Sequence, residues 1–140
     1  MREHIIIRKE EFVTGSISKS VPTVFTQTHK THPPLPYNRI SIGETVWMKW
    51  SDGPIVAKAK VEGFRLLENC TVEEFRETVR GTNLYNHNEY WEIKSKKFNG
   101  MTIYIAGGEW LDDPIFSQSR SYSNSWIILD DEKKRKEWLG

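Results

Sequence analysis

The chain alternates between short apolar runs and polar punctuation. His4-Ile5-Ile6-Ile7-Arg8 is a compact β-branched run, which suits a strand buried on both faces better than a helix. Lys9 to Ser18 places Phe12, Val13 and Ile17 at helical spacing and predicts a short helix. Val21 to Thr28 alternates and predicts a second strand, with Pro22 admissible near its start. From His29 to Ser41, three prolines within Pro33-Pro34-Leu35-Pro36 exclude both ladder and helix and predict a long loop. Thr45 to Trp50 and Ile55 to Val61 then flank Ser51-Asp52-Gly53-Pro54, the pattern of a hairpin.

Further along, Thr71-Val72-Glu73-Glu74 has the hydroxyl and carboxylate three residues apart that cap a helix, predicted over Val72 to Arg80 with Gly81 after it. Tyr90-Trp91-Glu92-Ile93 fits strand or helix equally. Met101 to Ala106 predicts a strand closed by Gly107-Gly108, and Ser125 to Leu129 another. Asp130 to Leu139 runs from acidic to basic, the order a terminal helix dipole favours. The sum, about six strands in hairpin order with three short helices, predicts one α+β domain over residues 1–140. Its expected centre is a small curved or barrel-like mixed sheet flanked by those helices.

Composition narrows the function classes more than it selects one. Twenty basic against nineteen acidic residues leave a formal charge of +1, so any nucleic-acid surface must arise from segregation of charge. Mean hydropathy is −0.61, no apolar run reaches the ~18 residues of a membrane span, and the opening residues lack signal-peptide order. A cytoplasmic protein is expected. Cys70 is the single cysteine, and His29 and His32 stand in the proline loop without further ligands. Zinc needs three or four ligands, so neither a metal nor another cofactor is expected. Phosphate-binding glycine loops, dinucleotide fingerprints, His-Glu-x-x-His and nucleophile-elbow motifs are all missing.

Aromatics are the excess: six Trp, five Tyr and six Phe make 12% of the chain. Trp47 and Trp50 fall on opposite faces of one strand, so one surface takes only one of them. Lys19, Lys30, Arg39 and Lys49 are candidate phosphate contacts around a stacking face of Trp47 or Trp50. A second candidate is Gly107-Gly108-Glu109-Trp110, where glycines admit close backbone approach beside Trp110. Ser117 to Ser125 adds Arg120 among hydroxyl donors suited to a phosphate backbone.

Gly43-Glu44-Thr45-Val46-Trp47-Met48-Lys49-Trp50, the turn Ser51 to Pro54, and Ala57-Lys58-Ala59-Lys60-Val61 together resemble the hairpin of the PUA-like superfamily, especially its ASCH branch. There a Gly-Asp/Glu turn leads into a strand, a small-residue turn and a strand reading Ala-x-Ala/Gly-x-Val. The resemblance implies a PUA-like pseudo-barrel and an RNA-binding or nucleotide-binding role. It also implies a cavity lined by a Gly-x-Lys-Thr signature with an acidic residue and Arg after the first helix. The nearest match is Gly15 to Thr23, with Lys19 and Thr23, followed by Arg39 at longer spacing and without the acidic partner. The expected function is therefore a nucleic-acid-binding module, with RNA rather than another nucleic acid implied by the resemblance, that holds a nucleotide or unstacked base beside the central hairpin. Its expected contacts are Lys19, Arg39, Lys49, Trp50, Trp110 and Arg120. The alternative implied by the resemblance is a small ribonuclease or an amide hydrolase acting on modified nucleosides, with Lys19 and Thr23 as catalytic candidates and Glu44 or Glu109 as carboxylates. A third reading gives Pro33 to Tyr37 to a protein partner with an aromatic groove.

Overall fold

The computed structural model describes residues 1–17, 23–30, 36–82, 84–86, 88–93, 96–117 and 126–140. Six strands form one mixed sheet: β1 (Glu3–Arg8), β2 (Thr23–His29), β3 (Thr45–Trp50), β4 (Ile55–Cys70), β5 (Phe98–Ile115) and β6 (Trp126–Leu129), in the order β2-β5-β4-β3-β1-β6. Helices α1 (Glu10–Ile17), α2 (Val72–Glu77) and α3 (Glu132–Leu139) flank it. The β1/β3 pair is parallel and runs in register from Glu3↔Thr45 to Arg8↔Trp50, while every other pairing is antiparallel. The chain reaches this parallel neighbour only after visiting the far edge as β2, the long crossover that parallel strands require.

The Ile5-Ile6-Ile7 run is buried throughout because both faces of β1 are covered. On the concave face Ile6 packs with Met48, Ala57, Ile103 and Trp126, and α1 covers them through Val13. On the convex face Ile5 and Ile7 pack with Ile55, Ile127 and Trp138 of α3. A third cluster, Phe75, Val79, Trp91 and Phe98, joins α2 to the far end of the β4/β5 hairpin. The sheet curls until Phe25, on edge strand β2, meets Trp126, on edge strand β6, edge-to-face at 6.4 Å. No ladder joins these two edges among the described residues, so the barrel stays open.

Thr71 and Glu74 form the expected capping box, each accepting from the other's backbone N–H. Helix α2 ends at Glu77, short of the expected Arg80; the Thr78 hydroxyl donates to the Phe75 carbonyl and turns follow. The ambiguous Tyr90-Trp91 segment belongs to a 3₁₀ turn, Asn88–Trp91. Gly107-Gly108 does not close its strand. Ala106 pairs with Lys60 and Glu109 with Lys58, so the two glycines oppose Ala59 alone in a bulge, with Gly107 at φ +66°. Strand β5 continues past the bulge because the 16-residue β4 offers it a partner over most of its length.

One polar network ties β1, the turn before β3, and β6 together. The Trp126 indole N–H donates to His4 Nδ1 at 3.0 Å, and His4 Nε2 lies 2.9 Å from Glu44 Oε1. An indole nitrogen only donates, so Nδ1 is the acceptor and the imidazole proton sits on Nε2, donated to Glu44. Glu44 also accepts from the backbone N–H of Ser41 at 2.7 Å and of Arg2 at 2.9 Å. Burial pushes the His4 pKa below its ordinary value against the pull of Glu44. Burial alone would raise the Glu44 carboxyl, but the donors from His4, Ser41 and Arg2 together hold it below its ordinary range.

Truncation by Glu44→Ala leaves the buried His4 donor and two part-buried backbone donors without their acceptor and should cost about 3 kcal/mol in urea unfolding. The pH dependence follows from both shifts. Below about pH 6.5 an unfolded His4 takes up a proton that the folded one refuses, and below about pH 4.5 the same holds for Glu44. Folding stability should therefore fall on acidification through the first range and again through the second, with the upper limb absent in His4→Gln when urea midpoints are compared from pH 4 to 8.

Candidate nucleic-acid interface

On the convex side of the central hairpin, neighbouring positions of three strands line a groove of about 190 Å³: Thr45 and Trp47 from β3, Lys58, Ala59 and Lys60 from β4, Gly107 and Glu109 from β5. Strand register builds it. Trp47 lies opposite Lys58 and Thr45 opposite Lys60, while Lys58 is also paired with Glu109. Alternation sends Ala57, Ala59 and Val61 into the concave core and leaves the two intervening lysines outside. The bulge at Gly107 brings side-chain-free backbone to the groove wall.

Trp47 is half-buried against the convex core, and its indole N–H donates to Glu3 Oε1 at 3.2 Å. Glu3 in turn accepts from Arg135 of α3 at 2.6 Å, so the indole edge is held from beneath. The Lys58 ammonium stands 5.6 Å from the Trp47 ring centroid and 3.5 Å from Glu109, an ion pair whose side chains are 41% and 62% exposed. Such a pair is weak in water and easily exchanged for a phosphate. Lys60 donates to the Thr45 hydroxyl at 2.8 Å. An oriented aromatic face beside two weakly paired ammonium groups suits a planar ring that carries negative charge.

Of the residues singled out from sequence, Trp47, Gly107 and Glu109 line this groove, and the other described ones do not. Lys19 and Arg120 lie outside the described residues, as do positions 33–35 of the proline loop. Thr23 is buried at the start of β2, opposite Ile105. Arg39 is exposed and paired with Asp130 at 3.2 Å. Lys49 is buried; its ammonium donates to the Trp50 carbonyl, and burial pushes its pKa down against the attraction of Asp52. Trp50 packs partly against the concave core and Trp110 is 47% exposed on β5. The carboxylate candidates separate: Glu44 is engaged in the buried network, whereas Glu109 lines the groove. No group of three metal-ligating side chains occurs among the described residues, and the Cys70 thiol is buried, its pKa raised. No helix among the described residues is long and apolar enough to cross a membrane.

Lys58 and Lys60, absent from the expected contacts, had one signal in the sequence: the Ala-Lys-Ala-Lys-Val alternation opposite Trp47. The register shift at Met48/Lys49 obscures that pairing when it is counted from the turn.

No protein-family model and no curated protein matches the sequence. Solved structures do match the fold. The ASCH protein from Zymomonas mobilis superposes at a TM-score of 0.63 with 15% identity, over 96% of this chain and 92% of that one. The chain has the ASCH-domain fold. A serine-to-alanine variant of that protein gives a TM-score of 0.67 at 13% identity over 96% and 92% of the two chains. A tyrosine-to-phenylalanine variant gives 0.61 at 15% over 96% and 94%. The six-stranded open sheet with three short helices is thus an ASCH-type architecture.

Because the Lys58–Glu109 pair is exposed on both sides, Lys58→Ala and Glu109→Ala should each change unfolding free energy by no more than about 0.5 kcal/mol, measured by urea titration.

Proposed function

We propose that this protein is an RNA-binding module that holds a nucleotide or an unstacked base against Trp47, in the groove beside the central hairpin. The observation that carries the reading is the convergence on one convex surface of the Trp47 ring, the Lys58 ammonium at 5.6 Å and Lys60, beside the Gly107 bulge. The ASCH-domain fold supports a role with nucleic acid in general, and the PUA-like hairpin supplies the expectation of RNA. In this reading a base lies on the indole, whose edge Glu3 fixes, and Lys58 leaves Glu109 to meet the adjoining phosphate. Lys60 meets the next one. Arg39, Lys19 and Arg120 are proposed as further phosphate contacts and Trp110 as a further aromatic surface, while buried Lys49 and concave-side Trp50 lie off this surface.

Titration of intrinsic tryptophan fluorescence with short single-stranded RNA at low salt tests this. Trp47→Ala should weaken binding about tenfold, the loss of one stacked base. Lys58→Ala with Lys60→Ala should weaken it and flatten its salt dependence while the melting temperature stays within about 2 °C. Wild-type affinity in soluble, folded Trp47→Ala protein rules out the groove, and no binding by wild-type protein at low salt rules out the module.

A further inference from the structure

Arg8 ends β1 on the concave face, one strand-turn beyond Ile6, and its guanidinium lies 5.7 Å from the Phe25 ring centroid. That places it in the seam where edge strand β2 approaches the β1/β6 side of the curled sheet. A guanidinium has five N–H donors. The one hydrogen bond it makes among the described residues runs from Nη1 to the Ile7 carbonyl at 2.9 Å, and no carboxylate pairs with it there. Burial is deep enough to push its pKa down. Tyr90, whose hydroxyl is hydrogen-bonded to Thr26, lies within electrostatic reach. Burial raises the Tyr90 pKa despite that hydrogen bond and the Arg8 charge, so the phenol stays neutral and does not balance the guanidinium.

A buried polar atom beside Arg8 also lacks a partner. Among the described residues three side-chain atoms are buried without a hydrogen bond: Trp50 Nε1, Gln27 Oε1 and His29 Nδ1. Trp50 is the in-register neighbour of Arg8 across the parallel β1/β3 pair, so the two side chains leave the sheet side by side. Gln27 and His29 follow Phe25 at alternate positions of β2 and share its face. A partly desolvated cation without a counter-charge is costly unless something anionic meets it. Orphaned polar atoms on the elements beside it point the same way.

We propose that the seam between the open edges of the sheet binds a small oxyanion of the phosphate class, gripped by the Arg8 guanidinium with the Trp50 indole N–H as a flanking donor. The site lies on the opposite face of the sheet from Trp47 and stands independently of the RNA-binding reading. Guanidinium geometry favours two-point contact with a tetrahedral or planar oxyanion. The Phe25 ring closes one side of the guanidinium, leaving its N–H edge as the reactive one.

The test follows the Arg8 side-chain Nε–H resonance of ¹⁵N-labelled full-length protein, with melting curves in parallel. The ligands are inorganic phosphate, a nucleoside 5′-monophosphate and the parent nucleoside, all at low chloride. Phosphate or the monophosphate should shift the resonance saturably and raise the melting temperature, and the nucleoside should do neither. Equal response to both phosphates identifies a free oxyanion as the ligand; monophosphate binding at least tenfold tighter identifies a phosphorylated nucleoside. Arg8→Gln should lose at least tenfold in affinity and, without ligand, melt no lower than wild type, since it removes a partly buried charge that has no carboxylate partner among the described residues. Trp47→Ala should bind inorganic phosphate as wild type does, which separates this site from the groove. A resonance unmoved by all ligands, or shifts of equal affinity in Arg8→Gln elsewhere in the spectrum, overturns the proposal. So does an Arg8→Gln protein that is destabilised without ligand and still binds phosphate.

Discussion

The hydrogen bond from Trp126 to His4 fixes more of this molecule than its own strength implies. It dictates the imidazole tautomer, and the tautomer dictates that Glu44 receives a proton donor. Glu44 lies just before β3, His4 on β1 and Trp126 at the start of β6, so three segments distant in sequence must be correctly placed before all three polar groups are satisfied. Satisfied networks of this kind reward one arrangement and penalise near misses, because each partial solution leaves a buried donor or acceptor unpaired. The parallel β1/β3 register depends on it: a one-residue slip would send His4 to the convex face and Ile5 toward Glu44.

Trp126 does a second task through the same ring. Its indole meets Phe25 from the opposite edge of the sheet, so the group that orients His4 also sets how far the sheet curls. Curling without closure produces two chemically different surfaces from one set of strands. The convex hairpin face carries Trp47 with lysines in solvent, whereas the concave seam carries Arg8 and an orphaned polar atom shielded from it. Exposed ammonium groups exchange partners at little cost, and a shielded guanidinium does not. On the two proposals, the faces take different ligands: an extended strand that lies across the surface, and a compact anion that enters it.

How legible this was in the sequence depends on the range of the interaction. The capping box at Thr71 and Glu74, the turn at Ser51 to Pro54 and the β-branched run of β1 are local, and the sequence predicts each close to its place. The extension of β4 and β5 was hidden because strand length there is set by mutual pairing, and the glycines that mark a bulge also mark a strand end. Glu44 belonged to a recognisable turn, but its burial partner lies forty residues away and had no local signature. The same limit applies to the groove. Alternation separates Trp47 from Trp50, yet only the ladder shows Lys58 standing opposite Trp47.

Charge arithmetic then decides which force dominates at the hairpin face. The whole chain carries +1, and the groove sets Lys58 and Lys60 against Glu109. Two phosphate contacts on a single strand would give a salt slope of only about −1.4, far shallower than that of proteins that grip duplexes by charge. Affinity for a nucleic acid at this surface must come mainly from the indole, where a stacked base contributes roughly 1–3 kcal/mol. A base offers its flat face to Trp47 only when it is free of its neighbours. A-form duplex keeps its bases stacked and paired, so a surface built this way discriminates by strandedness first and by sequence hardly at all.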